Sequence, residues 1–310
     1  MADISFDNIV KRVKSYLLAK NYSKALKLCE KYKESKIGTI YHDKINIPIA
    51  GIYECMEEYN IAIQIYLDII HYKIIKPIEF GHIMCKLANN YNMILNYEEA
   101  LKYYKKADII FSSKHMFLSA CDDKTPNKTM CKDCYLLMVE SHTTALGCIG
   151  TMLHKLERYD EAIISFKKSI DIDRYNKLPE TATTITVCSL LNSLFKLNKF
   201  SDMLKYIDDS ILNLNISNTF IYNQLLLLKC HALYNCEYYE DTVDICDMIL
   251  KNISEIANDK YFQVLYNKCL SLYKLNRYNE AIVSIDQAIK IKSLESLIDL
   301  REQVNAKIVC

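Results

Sequence analysis

One spacing recurs seven times along the 310 residues, and it constrains the fold more than any other feature. An aromatic residue comes first: Tyr22, Tyr59, Tyr97, Tyr159, Phe200, Tyr239 and Tyr278. Three positions on stand Ala25, Ala62, Ala100, Ala162, Met203, Thr242 and Ala281, mostly small. Seven positions on stand Cys29, Tyr66, Tyr104, Phe166, Ile207, Cys246 and Ile285, and ten on stand Tyr32, Ile69, Ala107, Ser169, Ser210, Ile249 and Ala288. Steps of three and four keep side chains on one face of an α-helix. Successive aromatics are 37, 38, 62, 41, 39 and 39 residues apart, enough for two helices and their turns. The spacing predicts helix–turn–helix units. The aromatic opens the second helix and fills the gap to the first, and the small residue lets the two backbones approach. One such pair cannot bury both of its faces, so neighbours must stack. Only the interval from Tyr97 to Tyr159 breaks the rhythm.

Composition agrees. The chain has 5 Gly and 4 Pro, too few for a β-sandwich, a TIM barrel or a Rossmann domain. A hydrophobic share of 51% can fill a large core. The glycines at 38, 51, 81, 147 and 150 form neither GxGxxG nor a Walker loop, and HExxH and GxSxG are also missing from the sequence. Paired acids such as Glu98-Glu99 and Asp208-Asp209 are expected on outer helix faces, solvated and not catalytic. The sequence therefore points away from an enzyme.

The net charge is +1, so there is no global attraction to nucleic acid or to an anionic membrane. Residues 1–50 carry ten Lys/Arg against five Asp/Glu, and residues 201–310 carry eleven against fifteen. This asymmetry suits head-to-tail association or two different partners; the alternative is scattered surface charge. The N-terminal MADISFDNIVKRVKSYLLAK has no continuous apolar run, and the longest uncharged stretch, Thr181 to Phe195, is rich in Thr, Ser and Asn. The expected compartment is the cytoplasm, with the nucleus as alternative, and the 13 cysteines are expected to be reduced. Cys29, Cys55, Cys85, Cys188, Cys230, Cys246 and Cys269 fall at apolar helical positions, where Cys serves as a small hydrophobe.

The repeating pattern resembles the tetratricopeptide repeat over roughly residues 8 to 310. The third repeat carries first-helix marks as well, Leu87-Ala88 and Tyr91, and the fourth has Gly150 where the family favours a small residue. Two departures are the lack of any Trp and intervals of 37 to 41 in place of the family's shorter repeat. In length the repeats are similar to those of Rap-type peptide-sensing regulators and Pins/LGN-type scaffolds. The resemblance implies an all-α, right-handed superhelical solenoid of about seven helix-turn-helix repeats, about 14 helices. It is expected to run as a single array: repeats 1–3 over 1–111, a Cys-containing insertion at 112–134, repeats 4–7 over 135–292, and a capping or docking helix at 293–310. The implied function is non-enzymatic binding of a protein or peptide, as an adaptor or as an assembly subunit. Two alternatives are a regulator whose superhelix changes pitch on binding a peptide, and a self-associating, homodimeric structural subunit.

In such arrays the first helices line the concave groove. Counting back from each aromatic places His82, Asn89 and Asn92, then Thr151 and His154, then Asn192 and Phe195 there. Gln224, His231 and Tyr234 follow in the sixth repeat, and Gln263, Tyr266 and Tyr273 in the seventh. Amides can both donate to and accept from an extended backbone, and Tyr adds contact area at low entropic cost. Lys86 and Asn89 lack Arg or Lys partners on the next first helix, so the carboxylate clamp of some family members is not expected. The run Glu237, Glu240, Asp241, Asp244 and Asp247 could attract a basic peptide or simply favour a helix dipole. No cofactor is expected, with one exception. Cys121, Cys131 and Cys134, flanked by His115 and His142, have the ligand types of a zinc site. The alternative is a polar loop around Pro126 that happens to contain thiols.

Overall fold

The computed structural model describes residues 5–34, 42–71, 76–113, 132–176, 180–213, 219–251 and 258–309. These residues form fifteen α-helices and no strand. They are α1 (Phe6–Leu18), α2 (Tyr22–Lys33), α3 (His42–Cys55), α4 (Tyr59–His71), α5 (Pro77–Met93), α6 (Tyr97–Ser112), α7 (Lys132–Lys155) and α8 (Tyr159–Asn176). Then come α9 (Glu180–Lys196), α10 (Phe200–Asn213), α11 (Thr219–Asn235), α12 (Tyr239–Lys251), α13 (Asn258–Lys274), α14 (Tyr278–Ile291) and α15 (Glu295–Val309). All seven marker aromatics open a second helix, as their spacing predicts. The helices group into two compact units, residues 1–178 and 179–310. In each unit every helix packs on the next in sequence, and first helices of neighbouring repeats also touch: α1 on α3, α5 on α7, α9 on α11 and α11 on α13. This is the stacking of a tetratricopeptide-type solenoid.

The core is built from the repeating positions. Ala25, Ala62, Ala100, Ala162, Met203, Thr242 and Ala281 are all fully buried. Every residue at the seventh and tenth positions after an aromatic is buried too. Thr242 is tolerated there because its hydroxyl donates to the Tyr238 carbonyl at 2.8 Å within its own helix. Two glycines make room for rings. A methyl group on Gly150 would lie 2.5 Å from Phe166, and one on Gly81 would lie 2.7 Å from Phe111. Both rings are almost completely buried and have nowhere to move.

The seven turns between first and second helix share one geometry that the low glycine content does not suggest. Lys20, Glu57, Leu95, Glu157, Asn198, Glu237 and Asn276 each stand two residues before an aromatic with φ between 53° and 64°. After each, one N–H reaches back to a carbonyl five residues earlier, from Asn21 to Tyr16 at 2.8 Å through Arg277 to Leu272 at 2.9 Å. This is the helix-ending bond that glycine usually serves. Left-handed backbone costs an L-residue about 1–2 kcal/mol, so the chain carries that strain seven times. Asn21 and Asn96 then cap the following helices by accepting from Lys24 N and Glu99 N at 3.3 Å.

Helix α15, in the segment expected to cap the array or dock on another chain, lays Leu297, Leu300 and Val304 into the core formed by α13 and α14. Within α7, Tyr135–Lys155 is long and apolar enough to cross a membrane by length and composition. Half of that window is buried, with Val139, Ala145, Leu146, Ile149, Met152 and Leu153 packed in the first unit, as in a core helix. Among the cysteines expected at apolar positions, Cys29, Cys230, Cys246 and Cys269 are buried and Cys85 and Cys188 half-buried. Cys55 is the correction: it sits exposed at the last position of α3, past the part of the helix that its neighbours cover.

Candidate functional site

Nine of the thirteen expected groove residues fall into two rows on the first helices, and the rows do different work. One row lies five residues before each aromatic and holds Asn92, His154, Phe195, Tyr234 and Tyr273. Its rings mostly serve the repeat itself. His154 meets Tyr159 at 5.1 Å between centroids, Phe195 meets Phe200 at 5.9 Å, Tyr234 meets Tyr239 at 5.8 Å and Tyr273 meets Tyr278 at 5.9 Å. Such tilted or edge-on pairs contribute beyond their buried area. The gap that each aromatic fills is thus closed from the other side by this row. In the third repeat Asn92 replaces the ring and accepts from Lys155 Nζ at 2.8 Å, while Lys155 also lies over the Tyr97 ring at 4.7 Å.

The second row lies eight residues before the aromatic and holds Asn89, Thr151, Asn192 and His231. Asn89 and Asn192 are exposed, while Thr151 and His231 are half-buried. Asn89 accepts from the Tyr104 hydroxyl, which orients its amide from beneath. Thr151 donates to the Gly147 carbonyl of its own helix at 2.9 Å. His231 ties three consecutive first helices together. It meets Phe195 of α9 edge-on at 6.2 Å, and its Nδ1 lies 3.4 Å from Asn267 Nδ2 of α13. Because Asn267 Nδ2 can only donate, the contact calls for an acceptor at Nδ1 and a proton on Nε2. Burial lowers the His231 pKa, which favours the neutral ring. Gln224 and Tyr266 are half-buried and Gln263 is exposed, with Tyr266 stacked on Phe262 at 6.0 Å.

His82 is half-buried against Phe111 at 5.3 Å, and burial, then the charge of Lys86, lowers its pKa. Lys86 is not left as a free cation: Glu54 of α3 accepts from Lys86 Nζ at 3.3 Å and from Asn90 Nδ2 at 2.8 Å. Glu54 and Asn267 contact the expected residues or their helix neighbours and were not among the candidates read from sequence. Glu54 lies five residues before Tyr59, the same row as Asn92 and Tyr234, so carrying the count into the second repeat finds it. Asn267 is a buried amide among apolar neighbours, which is itself a sign of a specific partner.

Two of the five acids in the charged run of the sixth repeat are paired across repeats. Glu240 accepts from Arg277 at 2.9 Å, and Lys268 bonds Asp247. Asp241 and Asp244 line a cavity of about 390 Å³ with Asp208 and Lys229, which pair at 2.7 Å. Of the suggested zinc ligands, His142 places Nε2 2.9 Å from Asp108 Oδ1, a contact that does not involve sulfur. Cys121, Cys131 and His115, together with the Cys134 side chain, lie outside the described residues. Among the described residues no three His, Cys, Asp or Glu side chains gather as a metal set.

Comparison with known proteins bears on the fold. Residues 145–176 and 262–293 match the family model of the tetratricopeptide repeat. No curated protein matches this chain. The C-terminal part of a TPR repeat-containing protein from Cytophaga hutchinsonii has a similar structure, with a TM-score of 0.60 at 13% identity, covering 94% of this chain and 98% of that one. The apo form of RapI gives a TM-score of 0.58 at 12% identity over 97% and 98% of the two chains. BtubC from P. vanneervenii gives 0.54 at 12% identity over 76% and 89%. At these identities the likeness is one of fold. Two segments match the family model, and the same buried positions and the same turns recur in all seven helix pairs: residues 145–176 and 262–293 are tetratricopeptide repeats, and the fold throughout is that of the repeat.

Proposed function

We propose that this chain is a non-catalytic interaction scaffold whose first helices hold an extended segment of a protein partner. The fold supports the general class, since repeats of this kind generally serve as interaction surfaces. The observation that carries the finer reading is His231, placed between Phe195 and Asn267, with exposed amides on the first helices to either side, Asn192 on α9 and Gln263 on α13. An extended peptide presents alternating N–H and C=O groups along its length. Asn and Gln side chains answer both, and the Phe195 ring, 39% exposed, offers an apolar contact. On the first helices of this region Lys229 is paired with Asp208 and Lys268 with Asp247. Recognition through amides and rings is therefore favoured over recognition through charge.

Affinity capture from native extract tests the proposal, using wild type and the variant Asn89→Ala/Asn192→Ala/His231→Ala, with bound proteins identified by mass. Partners that bind wild type and are lost from the variant support the reading. Partners retained equally move the interface off the first helices and refute it.

A further inference from the structure

The two helices of the sixth repeat bring a pair of thiols together. Cys230 of α11 and Cys246 of α12 are both fully buried, and their sulfurs lie 3.2 Å apart. They are not equivalent. Asn267 Nδ2 of α13 donates to Cys230 Sγ at 3.4 Å, so an amide stabilises negative charge on that sulfur. Cys246 Sγ lies 3.5 Å from the Val264 carbonyl, which can only accept, so Cys246 keeps its proton there or shares it with Cys230. The hydrogen bond from Cys246 outweighs burial and moves the Cys230 thiol pKa down, while the same bond and burial move Cys246 up. The rest of the site is apolar, with Leu226, Leu227, Ile249 and Val264 around it. Burial of thiols as small hydrophobes requires neither the sulfur–sulfur approach nor a donor on one of them.

We infer that Cys230 and Cys246 form a redox-responsive dithiol, which hydrogen peroxide closes into a cystine joining the two helices of the repeat. Cys230 sulfur attacks the peroxide oxygen, giving a sulfenic acid and releasing water. Cys246 sulfur then attacks the sulfenic sulfur, its proton leaves with the hydroxyl as a second water, and the S–S bond forms. Two sulfurs are each oxidised by one electron, and the peroxide O–O bond takes up both. Hydrogen peroxide is close to water in size and enters when the helix pair opens locally. Cys230 and His231 share Asn267, so closure withdraws the acceptor on one side of that amide. The consequence for ligand binding rests on the function proposed above; the chemistry of the pair does not.

The test uses the reduced full-length protein at low concentration, titrated with hydrogen peroxide, then unfolded, alkylated and digested without reductant for mass analysis. The expected product is a peptide joining Cys230 to Cys246, rising with dose, split by reductant, and accompanied by the loss of two alkylatable thiols. Recovery of both cysteines as alkylated thiols at doses that oxidise exposed Cys55 would overturn the inference. So would predominant linkage of Cys230 to any other cysteine. In the Cys246→Ser variant the joined peptide must vanish and Cys230 must be trapped by a sulfenic-acid reagent. The wild-type result decides the matter even if that variant folds poorly.

Discussion

The two units use the same spacing with different side chains. Seven residues after the opening aromatic, three of the four repeats in residues 1–178 bury a ring: Tyr66, Tyr104 and Phe166. The corresponding positions in residues 179–310 hold Ile207, Cys246 and Ile285. Gly150 supplies a notch for the Phe166 ring. Aliphatic and thiol side chains need none, so the second unit fills its helix pairs with medium-sized groups. The spacing therefore fixes which positions are buried, while the volume at each is settled locally between two helices. The ring-and-notch solution is the more demanding of the two, and the thiol solution brings chemistry into the core.

The largest expected effect falls on the first unit. Phe166→Ala should destabilise by about 3–5 kcal/mol through the cavity it leaves, against about 1 kcal/mol for Ile285→Val in the second. Denaturant midpoints of the full chain would check this, and equal losses would break the comparison. Gly150→Ala should cost about 1–3 kcal/mol by overpacking. Adding Phe166→Leu should recover part of that cost, and strict additivity of the two changes would show that the ring is not what the notch serves. Leu95→Gly should act in the opposite direction. Leu95 has φ 62° and is 69% exposed, so little packing is lost and about 1 kcal/mol of stability is gained, read as a higher melting midpoint. The same change at Asn198 should gain less, since Asn tolerates that conformation better.

The smallest effect is one of pH, and it touches both units through His82 and His231. Both have pKa values lowered in the folded chain, chiefly by burial. The unfolded chain then takes up protons first as pH falls. Their contribution is complete above the ordinary histidine value of about 6.5 and is lost as pH drops below it through the folded values. Thermal midpoints should fall between pH 7 and pH 5, and His231→Gln should remove part of that slope. An unchanged slope would show that His231 does not titrate with folding.

Much of the fold was legible because burial follows the repeat: every residue at the third, seventh and tenth positions is inside. The turns were not. Scarce glycine suggests long helices, yet Lys20, Glu57 and Leu95 take the left-handed conformation themselves, and stacking of the repeats holds them in it. The packing of the first helices was legible in part. Counting back from the aromatics found the first-helix rows, but Tyr234, His154 and Phe195 turned out to pack against their own repeat's aromatic. That contact runs between two helices, and no single-helix pattern displays it. Cys230 and Cys246 each read as core thiols, and only the packing of α11 on α12 makes them neighbours.

The central claim is that the first-helix row around His231 holds an extended peptide. The most direct measurement is the affinity of a peptide, selected on the wild-type chain from a random library, for wild type and for His231→Ala, by fluorescence anisotropy. The account predicts at least about a tenfold weaker Kd, about 1.4 kcal/mol, with the exposed Lys102→Ala change neutral. Equal affinity for wild type and His231→Ala would contradict it.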